Sequence, residues 1–104
     1  MEHSGTAIVE GFITEDAALQ RSPKTKKPFI LFSLAINHYR RPGEPGRVSF
    51  VEVEAWNALA LILEDRIKKG TKVMVEGRLR QDRWTEKDKI CSRIKLFADK
   101  VKFI

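Results

Sequence analysis

Arg47–Gly70 reads RVSFVEVEAWNALALILEDRIKKG, and within these residues the period of the apolar pattern changes. Up to Trp56 it is two. Val51, Val53 and Ala55 fall on one face of an extended segment and Phe50, Glu52, Glu54 and Trp56 on the other, as alternation along a half-buried strand requires. Beyond it, Ala58–Lys69 (ALALILEDRIKK) is rich in alanine, leucine and isoleucine, carries lysines at its end and meets Gly70 as a stop, which predicts a helix. A strand that runs directly into a helix is the pivot of the chain.

Upstream, Thr6–Ile13 (TAIVEGFI) is a β-branched and apolar run with Gly11 near its end, where a bulge or bend fits. A polar stretch with Lys24, Lys26 and Lys27 leads to Phe29–Asn37 (FILFSLAIN), a second strand that is largely buried. Arg40–Gly46 is dense in turn residues and predicts an exposed loop before the third strand, Arg47–Trp56. Downstream, Lys72–Trp84 and Ile90–Ile104 are strand-like and flank the polar turn Thr85–Lys89. The order β-β-β-α-β-β over 104 residues predicts one all-β domain spanning residues 1–104: a five-stranded OB-fold Greek-key barrel with one helix between strands three and four.

Composition sets the outer bounds. A formal net charge of +6 and a sequence pI near 9.7 favour a polyanionic partner. Residues 1–56 hold seven Lys/Arg against seven Asp/Glu and residues 57–104 thirteen against seven, so the whole surplus lies in the second half. The longest apolar stretch in the helical region, Ala58–Leu63, is far below the roughly 20 residues of a membrane span. The N-terminus has neither the basic nor the apolar region of a secretory signal. A lone Cys91 excludes an internal disulfide, so a cytoplasmic location, no membrane partner and a structural cysteine are the expectation. His3 and His38 show no metal-ligand spacing, and there is no phosphate loop or nucleophile elbow. These absences predict a non-enzymatic protein without metal or cofactor.

In the fourth strand Met74, Glu76, Arg78 and Arg80 alternate with Val73, Val75, Gly77 and Leu79, and Trp84 is in register with the arginines. Phe50, Trp56 and Trp84 therefore share outward faces with Arg78 and Arg80 in strands that neighbour one another in such a barrel. Rings interleaved with cations suit a single-stranded nucleic acid, because every base has a π-face and every link a phosphate. Two other readings remain open for these residues: packing between subunits for the rings, and an ordinary solvated strand face for the arginines.

Several segments resemble a known family. Glu10–Asp16 is similar to its strand-one ending, Phe32–Asn37 to its F-x-L-A-x-N strand, and Glu54–Ala60 to its turn into the helix. The strongest resemblance is Lys68–Arg80, KKGTKVMVEGRLR, followed by Trp84-Thr85 and Ala98–Val101. In order and over nearly the whole chain, these resemble the bacterial single-stranded DNA-binding proteins. The resemblance implies sequence-independent binding of single-stranded DNA in replication, repair and recombination, by a homotetramer, with a dimer as the alternative. It places Phe50, Trp56 and Trp84 at base-stacking positions and Tyr39 and Arg40 near another; Arg78, Arg80 and Arg83 complete the candidate set.

The family's members normally continue into a flexible tail with an acidic tip, whereas this sequence stops at Phe103-Ile104, so the resemblance leaves replication and repair proteins open as partners. Primosomal replication protein N, a relative without the tail that helps reload the replicative helicase, is the alternative within the fold. A protein-interaction subunit without DNA binding is the alternative outside it.

Overall fold

The computed structural model describes residues 5–38, 41–44 and 46–104. Among these residues six strands and one helix follow in the order β1 (Thr6–Ile13), β2 (Gln20–Arg21), β3 (Pro28–Asn37), β4 (Val48–Trp56), α1 (Asn57–Leu63), β5 (Lys72–Glu86) and β6 (Lys89–Phe103). Five of the strands correspond to the expected five; the two-residue β2, paired with the start of β3 through Gln20↔Phe29 and Arg21↔Pro28, is an addition.

The barrel closes through β1. It pairs with β5 from Thr6 to Phe12, then turns to pair with β3 through Phe12↔Ala35 and Ile13↔Leu34. Gly11 permits the bend, since a Cβ there would stand 2.7 Å from the Ala35 carbonyl oxygen. From β3 the ring continues antiparallel to β4, parallel to β6 through Glu52↔Lys95 to Glu54↔Phe97, and antiparallel back to β5. A register shift at Glu76/Gly77 bends β5, and a Cβ on Gly77 would lie 2.1 Å from the Phe97 carbonyl oxygen. Only a residue without a side chain lets β6 approach so closely.

Alternation fills the interior as the period of two requires. Ile30, Phe32 and Leu34 from β3, Val53 and Ala55 from β4, Val73 and Val75 from β5, and Leu96 and Ala98 from β6 form one buried cluster with Ile13. Ala60, Leu63 and Ile67 complete this core from the segment between β4 and β5. A fully buried leucine contributes about 1.5–3 kcal/mol.

The helix ends earlier than its composition suggests. It covers Asn57–Leu63, not Ala58–Lys69, and Asp65 beyond it adopts a left-handed φ of 65°. Long-range bonds explain the early stop: Ala17 N–H donates to the Ile67 carbonyl at 3.0 Å, and Lys69 N–H donates to Asp16 Oδ1 at 2.8 Å. The Lys69 N–H, which a helix reaching Lys69 would direct to the Asp65 carbonyl, is thus taken by Asp16, and Ala17 holds the chain at Ile67. The turn between β5 and β6 is also tighter than Thr85–Lys89, with Lys87 and Asp88 at φ of 50° and 65°. Two consecutive positive values fit a two-residue turn whose twist matches the long hairpin. Leu79, expected on the inward face, is half exposed because β5 and β6 extend past the barrel there.

Candidate nucleic-acid interface

The outer face of β4 and its neighbours gathers most of the residues singled out in the sequence. Val53 and Ala55 point inward, which leaves Phe50, Glu52, Glu54 and Trp56 on the outside. Phe50 is 67% exposed, near the loop that joins β3 to β4. Trp56 stands at the other end, six residues and roughly 20 Å along the strand. Its ring is stacked on Phe29, with centroids 4.6 Å apart and planes inclined by 23°. One indole face is thus taken, and a base would need the other.

Between these rings lies a compact charged cluster. Glu54 is only 6% exposed, and its Oε1 accepts the Trp56 indole N–H at 2.5 Å. Its Oε2 is 3.3 Å from Arg80 Nη2 and 3.4 Å from Lys95 Nζ. Asp82 meets the same two cations, at 3.3 Å from Arg80 Nε and 3.6 Å from Lys95 Nζ. Arg93 bridges the β4 face to the hairpin: its Nη1 is 3.4 Å from Glu52 Oε2, and its guanidinium lies 5.6 Å from the centre of the Trp84 ring. Trp84 therefore joins the same surface, from the strand beyond β6. Beside it a cleft of about 280 Å³ is lined by Thr14–Ala17, Leu31, Ser33, Glu52, Arg93 and Lys95, among others.

The remaining candidates divide. Arg78 lies over Phe97 at 5.7 Å and makes a loose, exposed pair with Asp99 at 3.8 Å, so its charge remains open to solvent. Arg83 is not brought to this face; it donates to Gln81 Oε1 at 3.4 Å, on the alternate side of β5 from Trp84. Tyr39 and Arg40 lie outside the described residues. Phe29, Arg93, Lys95 and Phe97 were missed. For the last three a signal existed, the alternation of Arg93, Lys95 and Phe97 with Ile94, Leu96 and Ala98; for Phe29 none did, since it meets Trp56 only through strand register. Among the described residues no group of His, Cys, Asp or Glu could hold a metal ion.

Comparison with known proteins agrees with this barrel. The model of the single-strand binding protein family matches residues 5–104. The chain belongs to that family. It is 33% identical over 100 residues to the single-stranded DNA-binding protein of Aquifex aeolicus, covering 93% of this chain and 67% of that one. To the single-stranded DNA-binding protein of Treponema pallidum it is 29% identical over 99 residues, again 93% of this chain but 56% of the relative, so the chain spans little more than half of that protein. Among solved structures, a small single-stranded DNA-binding protein from Streptomyces coelicolor superposes with a TM-score of 0.83 at 16% identity, covering 99% of this chain and 96% of that one. A Plasmodium falciparum family protein solved with single-stranded DNA gives 0.84 at 15% identity, covering 100% and 97%. At such identities the two structures establish the OB barrel.

Proposed function

We propose that this family member binds single-stranded DNA without reading its sequence and without catalysing a reaction, in replication, repair and recombination. The observation that carries this is the gathering of Phe50, Trp56 and Trp84 with Arg93, Lys95 and Arg80 on one outer surface of β4, β5 and β6. Stacking on each ring contributes ~1–3 kcal/mol per base and tolerates any base, while the cations offset the carboxylates between the rings so that this surface does not repel the phosphates. Arg78 belongs to the same proposed track, and so do Tyr39 and Arg40, which precede β4 in the sequence.

Assembly into a homo-oligomer, a tetramer, is part of this reading. One barrel offers only a short track. The side of the hairpin opposite Trp84 exposes Leu79, Ile90 and Ile94, and β1 exposes Ile8, which supports subunit contacts separate from the DNA face.

Intrinsic tryptophan fluorescence tests the reading directly. Titration with oligo-dT and with a duplex of equal length, at matched salt and with hydrolysis checked in parallel, should show strong quenching and tight binding for the single strand alone. Stacking needs unpaired bases, whereas phosphates are offered by both. Equal affinity for the two would refute it.

A further inference from the structure

We propose that Glu54 is a positioning residue of the DNA face: it fixes the Trp56 indole for stacking and, together with Asp82, occupies Arg80 and Lys95 so that these cations are not free phosphate contacts. This rests on the single-stranded DNA reading above and deepens it. A carboxylate is out of place on a surface meant for phosphates. Yet Glu54 is nearly inaccessible and both of its oxygens are used, one by the indole N–H and one by the two cations. A buried carboxylate needs such partners, and they are themselves fixed by it.

Two consequences follow from the geometry. The indole, stacked on Phe29 and tethered at its nitrogen, cannot rotate freely, so its open face is presented before a base arrives. Preorganisation of this kind lowers the ordering cost of binding. The second consequence concerns charge. Arg80 and Lys95 meet Glu54 and Asp82, two cations against two anions, and the cluster is neutral as a unit. A phosphate approaching it competes with internal carboxylates, and a neutral cluster releases fewer of the DNA's condensed counterions, so the salt dependence of binding is shallower than the number of nearby cations suggests.

The test is Glu54→Gln, which keeps the size of the side chain but removes its charge and one acceptor. Neutralising one of two anions leaves one net positive charge, so the slope of log K against log salt for oligo-dT should steepen by ~0.7, the single-strand value per contact. A fourfold rise in salt should then weaken the variant about threefold more than wild type. Without DNA, the Trp56 indole cross-peak in a ¹⁵N–¹H spectrum should move while that of Trp84 stays, because only Trp56 loses its carboxylate acceptor. A folded E54Q protein with the wild-type slope, or with an unmoved Trp56 cross-peak, would overturn the proposal. If E54Q does not reach the wild-type melting temperature, Asp82→Asn, at a half-exposed position, carries the charge argument alone: it should steepen the slope equally, and an unchanged slope overturns it. Failure of wild type to bind oligo-dT at all would instead strike the DNA reading, and would be recognised by a Trp56 cross-peak that still responds to E54Q.

Discussion

Phe29 and Trp56 face each other across the β3–β4 ladder and stack with ring centroids 4.6 Å apart. The pair makes Trp56 a one-sided platform: Phe29 fills the space behind it, Glu54 holds its nitrogen, and the outer face is left for a base.

Trp56→Ala and Trp84→Ala should each weaken oligo-dT binding by ~1–3 kcal/mol without altering the salt slope, because a stacked base releases no counterions. Fluorescence anisotropy with labelled oligo-dT at several salt concentrations measures both quantities. Normal binding accompanied by dissociation into smaller species would assign these rings to a subunit interface.

Phe29→Leu should weaken binding less than Trp56→Ala, by up to ~1.5 kcal/mol, the additional worth of an aromatic pair. It removes the backing of the platform but not the platform. A loss as large as that of Trp56→Ala, in a protein that melts like wild type, would mean that Phe29 itself meets the DNA.

Arg78→Ala should lower the magnitude of the salt slope by ~0.7, since its exposed pair with Asp99 at 3.8 Å does little to neutralise it. The variant and wild type should converge in affinity as salt rises. An unchanged slope would remove Arg78 from the phosphate track.

Gly77→Ala should destabilise the fold by ~1–3 kcal/mol or more, the usual cost of overpacking, because a Cβ would meet the Phe97 carbonyl oxygen at 2.1 Å. Thermal or urea unfolding followed by circular dichroism reads it. Wild-type stability would show that the β5–β6 ladder yields at the bulge.

Light scattering at micromolar concentration in moderate salt should give a mass about four times the 12.0 kDa of one chain. A mass near that of one chain would refute assembly, and one near twice it would replace the tetramer with a dimer.

Alternation in the sequence determined which side of β4 faces the core, because side chains on a strand point to opposite faces whatever the strand pairs with. That is why Val53 and Ala55 could be placed inside and Phe50 and Trp56 outside; the barrel was legible from the order of strands and helix, and the family from segments such as Lys68–Arg80 that resemble it. Gly70, expected to stop the helix, does take a left-handed φ of 86°, but seven residues beyond the helix's end at Leu63. What the sequence alone could not decide were relations between distant segments. The helix stops at Leu63 and not Lys69 because Asp16 and Ala17 bind the chain that follows it. Glu54, which alternation puts on the outward face of β4, is nevertheless buried because Arg80, Lys95 and Trp56 converge on it from three positions along the chain. Cross-strand register sets such meetings, and register emerges only when the barrel closes and every strand must satisfy its neighbours at once.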